Sequence, residues 1–344
     1  VQAAREAARR AQCTNHLKQI GLALENHVSA LGVYPTAGTA PNPDIANYTT
    51  GPRSSPGQPN GPAKQGLGWA YQILPFLEQS AVKGIVTQLQ LQQATIPGYF
   101  CPSRRNADKV TGVGGLTTLV DYAAAHPMTN RCTGAGLPTG DKYNIATTVP
   151  FQGPASYNLI YQAYWCGSNG QPLPNAVSDG VIVRTPWKVT SPATAAAPAK
   201  GEVVTGMSSP VKPGKISDGA SNTLLVSEKI VRADLYAGNI TDVGLASWSD
   251  DRGWSDGFDP DTVRSTGIQP VSDSDGLCFA PATDQFCTGN SAEVFFFGSA
   301  HSGGVNAVFA DGSVHLVSYN VDGILFNALG SRNGEETVDF SQLR

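Results

Sequence analysis

With 344 residues, only 15% of them charged but 38 Gly and 24 Pro, the chain has room for a large core and many loops to cover it. A net charge of −4 gives no bulk attraction for nucleic acid, and no stretch holds the ~18 apolar residues that a membrane span needs. The six cysteines, Cys13, Cys101, Cys132, Cys166, Cys278 and Cys287, form no C-x-x-C pair, which excludes zinc-ribbon and thioredoxin-like signatures. In so charge-poor a chain they point to disulfides made in an oxidising compartment.

Val1 to Leu31 reads as one helix of about 45 Å, rich in Ala, Leu, Gln, Glu and Arg, with Gly32 as its cap and Pro35 as its stop. Cys13, Leu17, Ile20, Leu24, Val28 and Leu31 follow three/four spacing and form an apolar stripe. Traced backwards, the stripe meets Arg9 and Arg5, which a core would not accept without partners. Residues 13–31 are therefore expected to dock and 1–12 to stand clear as a stalk, with Glu6 and Arg10 paired four apart. Val1 cannot cap a helix, so the helix is expected to continue a longer one.

Pro35 to Gly68 has loop composition, and Trp69 to Gln93 reads as helical with a break at Pro75. Ile96 to Cys101, Leu116 to Tyr122, Thr223 to Glu228, Leu245 to Trp248 and Glu293 to Phe297 read as strands. Pro127 to Gly180 has the character of an insert, and Pro186 to Gly214 that of a linker. Val305 to Ala310 and Ser313 to Val317 flank Asp311-Gly312 and predict a hairpin with a two-residue type I′ turn. That turn sets Phe309 opposite Val314 and Ala307 opposite Leu316. Six cysteines permit fifteen pairings; the arrangement expected here is Cys278–Cys287, Cys132–Cys166 and, joining helix to body, Cys13–Cys101.

Several motifs suggest chemistry and then fall short of it. Gly253-Trp254-Ser255-Asp256-Gly257 fits G-x-S-x-G, but Phe258-Asp259-Pro260-Asp261 follows where that motif needs a helix. Asp273, Asp275 and Gly276 match part of an EF-hand loop that lacks both anchors, since Val271 and Ala282 stand at them. The wider run of Asp250, Asp251, Asp256, Asp259, Asp261, Asp273 and Asp275 could either be solvated or hold calcium, the one cofactor the sequence suggests. His301 and Asp311 are separated by a strand's length, at least ~15 Å, so His301 is expected to be a structural hydrogen-bonding group beside Ser302-Gly303-Gly304. Trp248 and Trp254, near Asp residues, are the candidate glycan contacts.

Taken together, these segments resemble a large planctomycete family of prepilin-like proteins. The resemblance rests on Val1 to Cys13 with Asn15 and Leu17 to Ala23, on Ile73 to Gln79, on Phe100-Cys101-Pro102-Ser103, on Ile216 to Leu225, and on a terminal block. In that block His301 is followed, after nine residues, by Asp311-Gly312, with Gly303 and Gly304 between. Arg104 stands where the family has Asp, and Pro127 to Gly214 has no traceable counterpart. The resemblance implies a type IV pilin-like precursor whose cleavable signal and membrane helix precede Val1. The fold it implies is α+β, a spine helix (1–31) on an antiparallel sheet within a β-rich head (32–344) that carries a loop-rich insertion at about 127–214. The expected function is non-enzymatic, with self-association or pilin-like partner subunits, a membrane anchor and a cell-surface location. A tethered solute- or glycan-binding protein is the alternative.

Overall fold

The computed structural model describes residues 2–112, 115–129, 161, 163–166, 170–233, 236–237, 250–274, 295–334 and 340–343. Helix α1 spans Gln2–Leu31, and its stripe of Cys13, Leu17, Ile20, Ala23 and Leu24 is fully buried. Each such aliphatic side chain removed from water contributes about 1.5–3 kcal/mol. Ala4, Arg5, Ala7, Ala8, Ala11 and Gln12 are exposed. The stripe stops short of its expected end. Val28 is half-buried and Leu31 is 53% exposed, because the chain turns away at Gly32, whose φ is +74°.

The stripe lies on a five-stranded sheet. In chain order its strands are preceded by a small hairpin, β1 (Lys109–Gly112) and β2 (Gly115–Thr118), which pairs only with itself. The sheet itself contains β3 (Tyr122–His126), β6 (Leu224–Glu228), β7 (Val263–Ser265), β10 (Gly304–Phe309) and β11 (Val314–Ser318), in the order β11-β10-β6-β3-β7. Four strands run antiparallel, and β7 adds a parallel edge beside β3. The molecule is therefore α+β, with one mixed sheet where an antiparallel one was expected. Ala124, Val226 and Val308 share a row of this sheet and join Leu17, Ile20 and Leu24 in one core. Gly21 permits the close approach: a Cβ there would lie 2.6 Å from Val308 Cγ2.

The opposite face, with Ala123, Ala307 and Phe309, is covered by Phe297 and by Phe326 and Leu329 of a C-terminal helix at Gly323–Gly330. That helix was not anticipated, although Asp322 is a legible N-cap: its carboxylate accepts from the Ile324 and Leu325 amides.

The β10–β11 hairpin forms, but with another turn. The Gly312 amide donates to Phe309 O at 3.0 Å and Gly312 sits at φ +77°, so Ala310 and Asp311 are the central residues and Gly312 closes the loop. The register moves by one. Val308 faces Val314 and Ala307 faces His315, so Val314 joins Val308 on the α1 side while His315 moves to the face of Ala307 and Phe309.

Other expectations change for physical reasons. Pro35 to Gly68 is irregular yet largely interior, with Thr36, Ala37, Thr39, Ile45, Tyr48, Gln65 and Leu67 buried. Gln72, just beyond the loop, satisfies buried polar groups at both of its ends: it accepts from Thr36 N through Oε1 and donates through Nε2 to Thr36 O and Leu67 O. Trp69 to Gln93 breaks into short turns, α2 (Trp69–Gln72), α3 (Ser80–Lys83) and α4 (Gln88–Gln92). The first break is marked by Pro75 and by a left-handed Glu78. Pro97-Gly98 turns the expected strand at Ile96 to Cys101 into a 3-10 turn. The expected linker holds an outlying hairpin, β4 (Trp187–Ser191) with β5 (Lys200–Val203), and β8 (Val271–Ser272) pairs in parallel with β9 (Gly298–Ser299). The strand at Leu245 to Trp248 lies outside the described residues.

Candidate functional site

The residues that carry chemistry gather where α1 crosses the Cys-Pro-Ser turn and the start of β10. Cys13 and Cys101 form a disulfide with Cα atoms 5.1 Å apart, joining the helix to the body as expected. Above this link His301 is buried between two carboxylates. Its Nδ1 lies 3.5 Å from Glu6 Oε1 on α1, and its Nε2 lies 3.2 Å from Glu228 Oε1 at the end of β6. Ser103 Oγ donates to Glu6 Oε1 at 2.8 Å, so the stalk touches the body seven residues before the stripe begins. Glu6 pairs with Arg9, three residues on, not with Arg10. Glu228 Oε2 accepts from the amide and side chain of Asn306 at 2.7 and 3.1 Å. Burial alone would raise the Glu228 pKa, but the His301 hydrogen bond and the charges of His301 and Arg104 hold it below the ordinary value. Glu6 is likewise held low, its partial burial being outweighed by the bonds from Ser103 and Arg9. His301 thus pins the first turns of the helix to the sheet.

Beside this clasp runs a chain of buried ion pairs. Arg104, directly after Cys-Pro-Ser, donates through Nε to Asp273 Oδ2 at 2.7 Å and through Nη2 to Gly298 O at 2.7 Å. Asp273 also accepts from the Val231 amide and the Tyr236 hydroxyl, so its oxygens are occupied by protein donors. Arg105 bridges Asp121 and Asp250, and Lys229 Nζ reaches Asp250 at 3.1 Å and Asp261 at 3.6 Å. Asp121 closes the circuit by accepting from the Cys101 amide at 2.7 Å.

Past Lys229 the balance of charge changes. Asp251, Asp259 and Asp261 each offer an oxygen within 4.8 Å of the others, and all three are buried. Asp261 is oriented by the amides of Gly253, Asp251 and Arg252, and Asp259 Oδ1 accepts from the Asp261 amide. Asp251 Oδ1 and Asp256 Oδ2 have no hydrogen-bond partner. Burial, then the neighbouring carboxylates, push Asp251 up to about 9 and Asp256 up to about 7, and raise Asp259 well above the ordinary range. An all-oxygen set of this kind suits a hard cation. The other grouping of metal-ligating types, Cys13, Cys101, Glu228 and His301, is ruled out as a metal centre because its sulfurs are joined to each other.

The remaining predicted residues scatter. Trp254 is fully buried, its indole N–H donating to Ala94 O at 2.8 Å, so it offers no face to a sugar; Trp248 lies outside the described residues. Ser255 is 2% exposed. Asp311 is exposed and its carboxylate accepts from Ser313 in its own turn, while His301 is buried at the far end of β10. Gly303 and Gly304 lead into β10, and Gly304 lies against the Val317 backbone. Cys166 is disulfide-bonded; Cys132, Cys278, Cys287 and Asp275 lie outside the described residues. Glu6, Ser103 and Glu228 were missed as site residues. Glu6 and Ser103 lie in segments that carry the resemblance, but nothing there pairs them with each other or with Glu228, because the three meet only through the fold.

No curated protein and no solved structure matches the chain significantly. Residues 2–323 do match the profile of a family described as protein of unknown function (DUF1559). That match covers the helix, the clasp, the acidic loop and the whole five-stranded sheet, and the chain belongs to this family.

Proposed function

We propose that the protein is a pilin-like surface subunit, non-enzymatic, whose long helix serves both as spine of the head and as its contact with other subunits or the membrane. The observation that carries this reading is the division of labour along α1. Cys13 to Leu24 is buried against the sheet, whereas Ala4, Arg5, Ala7, Ala8, Ala11 and Gln12 remain exposed and Glu6 supplies the tie to the body. Leu22, on the docked half, is 51% exposed, and small or apolar side chains on an outward helix face suit packing against a neighbouring helix. The Cys13–Cys101 disulfide supports a location outside the reducing cytoplasm. The two carboxylates around His301 support a positioning task for the family's His motif, since Ser103 donates to Glu6 and not to the imidazole.

Imaging and fractionation of the native envelope test the proposal. The expected result is filamentous or membrane-associated protein; dispersed, freely soluble monomers would overturn it. Of the two glycan contacts expected for the alternative, Trp254 is enclosed and Trp248 lies outside the described residues.

A further inference from the structure

We propose that the loop from Asp250 to Asp261 is a calcium site, held by carboxylate oxygens of Asp251, Asp259 and Asp261. Geometry is the first argument. Calcium binds oxygens at about 2.3–2.6 Å, so ligands around one ion lie up to ~5 Å from each other. The three side chains offer oxygens within 4.8 Å of one another.

Unmet valence is the second argument. Asp251 is 4% exposed and Asp256 2% exposed, yet Asp251 Oδ1 and Asp256 Oδ2 accept no hydrogen bond. Stranding a carboxylate oxygen in this way is costly unless a cation or proton joins it.

Charge is the third. Lys229 sits on the Asp250 side, at 3.1 Å from Asp250 against 3.6 Å from Asp261. Arg252 Nε stays 3.7 Å from Asp251 Oδ2 and is partly exposed. Among the described residues no cationic side chain pairs with Asp259 or Asp256. Lys229, Arg252 and the buried Arg264 face the five carboxylates of Asp250, Asp251, Asp256, Asp259 and Asp261, and Arg105 is shared with Asp121, so negative charge remains in excess.

Ligand chemistry selects the ion. The set is all oxygen with no His or Cys, which disfavours zinc and copper. Magnesium keeps several waters and near-ideal octahedral geometry, and a loop this enclosed leaves little room for them. The ion would fix the loop whose Trp254 packs against Tyr99 and whose Asp261 backbone receives Lys229, and so would stiffen the head from beneath the clasp.

The test uses the whole chain. Protein purified without chelator is assayed for bound metal, then stripped and melted with no addition, with calcium chloride or with magnesium chloride. One calcium per chain and a rise in Tm of several degrees on calcium addition, much smaller with magnesium, are expected. Asp251→Asn and Asp259→Asn should abolish the rise, while Asp311→Asn, at an exposed turn, should keep it. Unfolding of the stripped wild type that calcium reverses would count in favour. The proposal is overturned if the wild type carries no stoichiometric calcium and its stripped and calcium-treated melts coincide. This readout needs only wild-type protein, and so decides the matter even where a variant does not fold.

Discussion

Two buried groups of charge meet at Lys229 and behave differently. On one side Arg104, Arg105 and Lys229 face Asp273, Asp121 and Asp250, and each of those carboxylates has a cation at ion-pair distance. On the other side Asp251, Asp256, Asp259 and Asp261 crowd together with unsatisfied oxygens among them. Apart from Asp121, the carboxylates of both groups come from one acidic run in the sequence. What separates them is the elements that pack around them: the Cys-Pro-Ser turn sends two arginines into the first, whereas the second is oriented by backbone amides, with Lys229 and Arg252 no nearer its carboxylates than 3.6 and 3.7 Å. The first is complete as folded. The second is complete only with something added.

The largest expected effect lies where the first group is stapled to the helix. Replacing Cys13 and Cys101 by Ser frees a loop with a sequence separation of 88 residues. Chain entropy puts the loss at about 4–5 kcal/mol, readable as a lower urea midpoint in oxidising buffer. Asp121→Ala comes next. It leaves the Cys101 amide and one contact of Arg105 unmet in a buried site, and should cost about 3–5 kcal/mol.

The second group should respond with the opposite sign. In chelator, Asp251→Asn removes one of several crowded carboxylates, and is expected to stabilise the protein near neutral pH by at least about 1 kcal/mol, since a single unit of pKa mismatch is worth that much and this one spans several. The direction with pH follows from the shift. The folded pKa of Asp251 lies above its unfolded value of 3.8, so its contribution is present at low pH and is lost as pH rises toward about 9. The advantage of Asp251→Asn over wild type should therefore widen across that range, and calcium should shrink it. Glu228, held low, runs the other way: its contribution is present above 4.5 and lost as pH falls through its lower folded value. Denaturant melts of the two variants Asp251→Asn and Glu228→Gln across pH should thus slope in opposite directions relative to wild type.

How much of this could be read from the chain depends on how local each feature is. The stripe from Cys13 to Leu24 repeats with the helix period and was visible, as was the pairing of Cys13 with Cys101 and the hairpin around Asp311-Gly312. The hairpin's register was lost by one residue, because Asp-Gly serves both a two-residue turn and a longer turn closed by a left-handed Gly. Pro35 to Gly68 has loop composition and is a loop; that it is buried depends on Gln72, dozens of residues away. His301 was read as a hydrogen-bonding group, but its partners Glu6 and Glu228 come from distant parts of the chain and leave no pattern. Likewise the departure at Arg104 gains a reason only when Asp273 is brought to it.

The smallest expected effect on stability is the most informative about function. Arg9 and Glu6 form an ion pair with both side chains over 40% exposed, 42% and 45%. Such pairs contribute about 0–1 kcal/mol, so Arg9→Ala should hardly move the melt of the isolated chain. Nor should Arg5→Ala, since Arg5 is exposed. If the outward surface of α1 is where subunits or the membrane meet the protein, the same double change should strongly reduce the filamentous or membrane-associated fraction. Loss of association at unchanged Tm would assign Arg5 and Arg9 to contacts between molecules. Unchanged association would move the interface elsewhere, because buried charges such as Arg104 and Asp121 are already committed within the chain and have nothing left to offer a partner.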